Sequence, residues 1–470
     1  MGYFTVVHRI GSLPLQPWDE SLFALRALFI SDTGEYMSDF SQILIEQNHR
    51  NTKLPFTTLL QVLTFKLLGT SILSLRLPNI LIFIVSCYYV SKVFKKHLQE
   101  KWIGVLYTLI LISSSVWIRP HIMRTGDQDA AFSIYLTVGI IAFYIYDQEY
   151  KSKWALPLFS IMIIFGALTK NLLAFIPGTA IFIYLIYRKT LFTRLKSTNI
   201  WLAILAIFGS YIGVILYLNQ RYAGFIDRMW NYELGGRFTK EIENTGPWWK
   251  YIDQLTTLGN MPFILFAGYI LVLAFTSKIE QKLKDLVVLL SLYIASYLTV
   301  ISISKTKCDW YDAPLIPAIA LMAAIGIIEI YKRYINTQKG VTKSILTIIL
   351  SLTILIPYMF LAIDISNSKS TSIDARHGPF MERVVEKNQL INTFTVAVDK
   401  WAFTQMWYIK KLNKLGYHIT YSEDNSYSIN EYVVLCSNKA MENIDKKYTS
   451  DIIYHEKGKC KLLKIVGSKR

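Results

Sequence analysis

The sequence is short of charge and short of cysteine. Charged residues fill 18% of its 470 positions and hydrophobic ones 53%, where a soluble domain carries roughly 25% charge. The apolar excess lies in long blocks, which excludes a disordered chain and a wholly soluble one. Four cysteines are too few for a disulfide scaffold. Residues 1–14 lack a basic stretch followed by a long apolar one, so no cleavable signal peptide is read there. No internal repeat and no low-complexity tract occurs. The net charge of +17 does not by itself imply nucleic acid, because a membrane protein gathers basic residues in its cytoplasmic loops.

A bilayer core needs about 20 apolar helical residues. Ten candidate spans are read near 77–94, 102–118, 130–146, 154–169, 171–187, 200–218, 260–276, 286–303, 314–331 and 344–363. The pair on either side of Lys170 and Asn171 is short and is expected to form a tight hairpin. Loops 92–96, 147–153, 188–196, 278–284 and 332–343 are short and rich in Lys and Arg, which makes them cytoplasmic. Segments 1–76, 119–129, 220–259, 304–312 and everything after Asp364 then lie outside. Residues 54–68 are apolar but contain Lys66, and both ends belong outside. This predicts an interfacial helix with a snorkelling lysine.

Beyond about residue 366 the composition turns mixed. Residues 395–398, 417–421, 432–436 and 461–465 alternate like strands, and 403–415 reads as a helix stopped by Gly416. A small α/β domain is expected. Cys436 and Cys460 fall in it. An oxidising compartment would permit a disulfide, although two buried thiols are the more common outcome.

The chemistry-bearing residues sit in the outer loops: Trp18-Asp19-Glu20, Asn51-Thr52-Lys53-Leu54-Pro55-Phe56, Arg124-Thr125-Gly126-Asp127-Gln128-Asp129, Glu233-Leu234-Gly235-Gly236-Arg237, and Ser304-Lys305-Thr306-Lys307-Cys308-Asp309-Trp310-Tyr311. An acid can take a proton from an attacking hydroxyl. Lys and Arg can hold a phosphate and stabilise its growing charge. Each residue also has a plain structural use: Asp19, Glu20, Asp127 and Asp129 as helix caps, the lysines as solvated or interfacial anchors, and Glu233 with Arg237 as an i,i+4 pair, against which the two glycines argue for a loop. Their joint appearance on one face favours group transfer at the membrane surface. A transporter would instead place charges within the spans.

With these motifs, the chain resembles the GT-C membrane glycosyltransferases, in the branch of the lipid A aminoarabinose transferases and protein O-mannosyltransferases. The Asp19-Glu20 pair is similar to that family's opening motif, and residues 51–56 to its Lys-Pro-Pro-Leu motif. Leu75-Arg76-Leu77-Pro78, residues 124–130, Leu168-Thr169-Lys170 and residues 233–237 and 304–317 match further elements in order. The resemblance implies a polyprenyl-phosphate-linked sugar donor. It makes Asp19 the acceptor-activating base with Glu20 in support, places Asp129 and Asp127 in a second acidic site, and puts Lys53 on the donor phosphate. Arg124, Glu233, Arg237, Lys305 and Lys307 become further substrate-binding candidates. Two departures stand out. The family has a span before the Asp-Glu loop, for which residues 2–17 are too short, and Leu54 replaces the first proline of the pair.

The expectation is thus an all-α polytopic membrane protein of about ten spans (residues 1–365) with an outer α/β domain (366–470). It would be a multi-pass protein of the inner (plasma) membrane, active on the extracytoplasmic or periplasmic face. It would move a hexosyl or pentosyl group from a polyprenyl-phosphate donor to a lipid, glycan or protein acceptor. The rival readings are a lipid-linked-sugar flippase, which Lys170 fits, and a non-catalytic envelope-assembly subunit. No metal ligands are assigned, since His49 and His121 sit in no recognisable spacing. The resemblance leaves a divalent metal open, as some relatives bind one and others do not.

Overall fold

The computed structural model describes residues 1–35, 52–149, 152–242, 244–257, 261–276, 279–367, 374–387, 391–398, 402–422, 424, 426–436, 438–456 and 460–469. His49 and Asn51 lie outside these. After an irregular segment with a single wide turn at Tyr3–Val7, helices follow in the order α1 (Asp19–Thr33), α2 (Phe56–Leu68), α3 (Ile72–His97), α4 (Trp102–Ser113), α5 (Asp129–Gln148), α6 (Ala155–Lys170), α7 (Ile176–Tyr187), α8 (Thr198–Arg221), α9 (Phe263–Phe275), α10 (Gln281–Ile303), α11 (Leu315–Ile330) and α12 (Gly340–Asn367). Among the described residues, seven helical stretches are long and apolar enough to cross a membrane.

Each expected span falls on an apolar helix. The stretch 102–118 is divided because Ser114 is extended (ψ 113°) and its hydroxyl caps the short helix that follows, accepting from Trp117 N. Residues 155–187 run helically through one continuous apolar segment of 33 residues, yet the chain reverses within it. At one end of α5, Lys170 Nζ meets Asp129 at 2.5 Å. At the other end, Tyr184 donates to Asp147 at 3.1 Å. Those two contacts lie at opposite ends of a 20-residue helix, about 30 Å apart at 1.5 Å per residue. The reversal is at Asn171, with φ +56°, and α6 and α7 then diverge to pack on α5 and α10 respectively.

α5 is buried along its whole apolar length, whereas α12 is 11% buried and lies on the lipid side. Close helix approaches occur at glycines, as is common among spans. A Cβ on Gly104 of α4 would lie 2.2 Å from Ser91 Cα in α3, and one on Gly326 of α11 would lie 2.3 Å from Phe266 O in α9. The end of the bundle with the basic loops is tied by Arg194 to Asp147 (2.8 Å), Arg188 to Asp285 (2.5 Å) and Lys332 to Glu100 (2.8 Å). The opposite end is tied by Arg119 to Asp312 (2.5 Å). Burial pushes Asp312 up to about 6, with Arg119 pulling the other way. α2 packs against α1 and α3 with Lys66 exposed.

The C-terminal residues form a five-stranded sheet in the order β2-β1-β3-β5-β4, from β1 (Thr393–Ala397), β2 (His418–Ser422), β3 (Tyr432–Leu435), β4 (Tyr448–His455) and β5 (Lys461–Ser468). β1 is parallel to β2 and β3, and β5 is antiparallel to β3 and β4. The sequence pattern pointed to four of these strands. β4 escaped it because none of its residues is buried. Helices α13 (Asp374–Lys387), α14 (Phe403–Asn413) and α15 (Asn438–Lys447) flank the sheet. Cys436 and Cys460 are bonded. One apolar cluster joins Leu25 and Leu28 of α1 and Phe65 of α2 to Phe380, Trp407 and Val396. Helix α1 is therefore held between the membrane helices and the sheet unit, and its N-terminus cannot move independently of either.

The reversal at Asn171 gives a direct check. Single cysteines replacing Lys153 and Lys189, both exposed, should be labelled by an impermeant maleimide from the same membrane face. Labelling from opposite faces would mean that residues 155–187 cross once.

Candidate functional site

The site is assembled around one buried ion pair. Glu20 is fully buried, and its two oxygens take Arg76 Nε at 2.6 Å and Nη2 at 2.7 Å. The same carboxylate accepts the Gly126 amide at 2.7 Å and the Gln16 amide at 2.7 Å. Arg76 also donates to the carbonyls of Ile10 (2.6 Å), Leu13 (3.1 Å) and Pro14 (3.0 Å). Four distant stretches meet here: the N-terminal segment, the start of α1, α3 and the loop before α5. Trp18 takes φ +75°, ψ −120° at this junction, a costly conformation for a non-glycine residue that persists only where the surroundings impose it.

Glu20 is thus spent on structure, while its neighbour Asp19 is half-buried and faces open space. Two cavities meet there, of about 910 Å³ and 440 Å³, and share Asp19, Lys53, Glu233, Arg237 and Trp310. The smaller continues along Leu172, Leu173, Ile176, Val300 and Ile301. The larger reaches Arg26, Arg228 and Phe403 of α14.

On the shared wall, Lys53 Nζ donates to Glu233 at 2.8 Å and Thr52 Oγ1 donates to it at 2.6 Å. Arg237 Nε lies 3.9 Å from the same carboxylate, and its Nη1 donates to Tyr311 OH at 2.8 Å. Burial alone would raise Glu233, but Lys53 and Arg237 outweigh it and hold the carboxyl at about 2. The Gly235-Gly236 pair does not make a loop. Residues 230–239 are helical, and Gly236 is needed because a Cβ there would meet Asn231 O at 2.1 Å. Leu54, at the position of the missing proline, is fully buried in the main core, and Pro55 still precedes α2.

The second acidic stretch divides by role. Asp129 pairs with Lys170, whose ammonium lies 5.8 Å from the Tyr311 ring centroid. Asp127 is 1% exposed and neither of its carboxylate oxygens has a hydrogen-bond partner. Burial, then the charges of Asp19 and Glu20, push it well above the ordinary carboxylate range. His121 lies with Nδ1 3.7 Å from Asp127 and stacks on Trp310 at 4.0 Å between centroids.

Three expected binding residues are elsewhere. Arg124 donates to the carbonyls of Thr5 (2.6 Å) and His8 (2.8 Å) and lines neither cavity. Burial and the neighbouring Arg76 and Arg9 lower it to about 10. Lys307 turns back onto the Ser304 carbonyl. Lys305 is exposed on the outer loop, and neither lysine lines a cavity.

Residues 52–217 match the family described as dolichyl-phosphate-mannose-protein mannosyltransferase. The fold resembles ArnT from Cupriavidus metallidurans, solved bound to undecaprenyl phosphate, over 98% of this chain and 95% of that one, with a TM-score of 0.71 at 12% identity. The chain has the GT-C fold. It also resembles the Archaeoglobus fulgidus oligosaccharyltransferase tethered with an acceptor peptide, over 97% of this chain and 70% of that one (TM-score 0.54, 11% identity). A further match is the archaeal oligosaccharyltransferase AglB from the same organism, in complex with an inhibitory peptide and a dolichol-phosphate (97% and 71% covered, TM-score 0.50, 12% identity). No curated protein matches by sequence. This GT-C chain is a multi-pass membrane protein.

Sequence spacing assigned no metal ligands, but the GT-C fold brings donor atoms of Asp19, His121 and Asp127 within 4.8 Å of one another. The residues fit a divalent cation, because the buried Asp127 carboxylate has no hydrogen-bond partner. His121 shows no recognisable ligand spacing because Asp19 is remote in sequence, although Asp127 lies in the same loop. Arg76 and Lys170 went unassigned, although the Leu-Arg-Leu-Pro and Leu-Thr-Lys motifs that contain them were visible.

Removing one member of a buried ion pair strands the other, at a cost of about 3–5 kcal/mol. Arg76→Met should therefore destabilise the protein by about that much, read as a lowered unfolding midpoint in detergent. An unchanged midpoint would mean that the pair does not hold the site together.

Proposed function

We infer that the protein is a glycosyltransferase that takes its sugar from a polyprenyl-phosphate donor and passes it to an acceptor on the outer membrane face. The observation that carries this reading is the position of Asp19. Its carboxylate opens into both cavities, while Glu20 is locked on Arg76 and Asp129 on Lys170. The smaller cavity, with its aliphatic extension, suits a prenyl chain. The larger one suits the acceptor.

In the reaction, an acceptor hydroxyl oxygen attacks the anomeric carbon from the face opposite the phosphate. The new glycosidic bond forms as the bond to the phosphate oxygen breaks, with inversion. The hydroxyl proton passes to Asp19, and the bond's electron pair leaves on the phosphate, where Lys53 and Arg237 stabilise the charge. A divalent cation held by Asp19, His121 and Asp127 would supply positive charge that keeps the buried acid ionised. The outer placement is supported by the basic loops at the opposite end and by the Cys436–Cys460 bond in the sheet unit, which belongs to an oxidising compartment. The acceptor is a lipid, glycan or protein that bears a free hydroxyl.

The flippase reading rested on Lys170. That residue is paired with Asp129 at the outer end of α5 rather than exposed along a path through the bundle, which favours transfer over transport.

A positioned general base contributes about 10²–10⁴-fold. Asp19→Asn should lower transfer from a radiolabelled polyprenyl-phosphate sugar in membranes by about that factor while leaving expression and insertion intact. Full activity in this variant would remove the mechanism.

A further inference from the structure

The two cations on the donor side of the site are bridged by a carboxylate. Glu233 takes Lys53 through a 2.8 Å hydrogen bond and lies 3.9 Å from Arg237, and its side chain is only 9% exposed. An acid between two phosphate-binding cations weakens them for any anion, so its presence calls for a reason.

The donor and the spent carrier differ in charge. A sugar phosphodiester carries a single negative charge. The prenyl phosphate left after transfer is a monoester and carries about −1.5 to −2 at pH 7. Lys53 and Arg237 together offer two positive charges, and Glu233 reduces the sum to one. That balance matches the diester and leaves the monoester with excess charge facing a buried carboxylate, where like charges a few ångströms apart repel. Among the described residues, the other charged or titratable groups on the walls are Asp19, His121, the mutually paired Asp129 and Lys170, and, on the wider side, Arg26, Asp227 and Arg228. All of these, and any cation held by Asp19, His121 and Asp127, are present for both ligands, so they do not separate one from the other.

We propose that Glu233 is a specificity-determining residue that tunes the Lys53–Arg237 cradle to a prenyl phosphodiester and against the monoester, so that the used carrier departs. This rests on the reading of the cradle as the donor-phosphate subsite. Thr52, which donates to Oε1 of the carboxylate at 2.6 Å, fixes its orientation without changing the charge.

The test is equilibrium binding of undecaprenyl phosphate and of its methyl ester to the full-length protein in lipid nanodiscs, with no acceptor present. The two probes share a tail and differ by about one charge. In the wild type the methyl ester should bind at least as tightly as the monoester. In Glu233→Gln the monoester should gain about tenfold relative to the methyl ester, equivalent to about 1.4 kcal/mol. Glu233→Asp and Thr52→Val, which keep the charge, should leave the ratio as in the wild type. An unchanged ratio in Glu233→Gln, or an equal shift in Thr52→Val, would overturn the proposal while leaving the transferase reading intact. Wild-type protein that binds neither lipid would overturn both.

Discussion

The arrangement of the site depends on a bidentate contact between Glu20 and Arg76. In water such a pair contributes little. Here both partners are buried, and the remaining donors and acceptors are taken by backbone groups from two other stretches. The pair is acceptable in the interior because it is saturated. Saturation also makes it directional: only one placement of α1, of the N-terminal segment and of the Gly126 loop satisfies every atom. The pose of Asp19 follows from that placement.

Around this fixed point the charged residues divide into those engaged in structure and those facing the cavities. Arg124, Arg119 and Lys307 hold backbone carbonyls or a buried acid. Lys53, Glu233, Arg237 and Asp19 line the region where the cavities join. The sheet unit takes part through α1, which shares a core with α14, and through Phe403 on the wall of the larger cavity. The C-terminal unit is thereby packed against the helix that carries Asp19.

Much of the architecture was legible in the sequence. Apolar length marked the helices, because the thickness of a bilayer sets the length of a span. Several of the loop motifs meet in space: the Gly126 amide lies on Glu20, and Thr52 and Lys53 lie on Glu233. What was not legible was the division of labour. Asp19 and Glu20 are adjacent and chemically alike, and their roles are separated by Arg76, 56 residues away. Arg124 resembles a phosphate ligand until Thr5 and His8 are seen to occupy it. The pairing of Glu233 with Arg237 was legible, but the helical turn that accommodates Gly236 was not, since glycines read as loop unless a close backbone approach is known.

The account stands on the claim that the lipid phosphate sits between Lys53 and Arg237 with its prenyl chain along α7. The most direct measurement is a structure of the protein with undecaprenyl phosphate bound. The account predicts phosphate oxygens within hydrogen-bonding distance of Lys53 Nζ and the Arg237 guanidinium, the chain passing Leu172 and Ile176, and Asp19 facing the phosphate across the cavity junction. A phosphate bound elsewhere, with Lys53 and Arg237 still closed on Glu233, would contradict it.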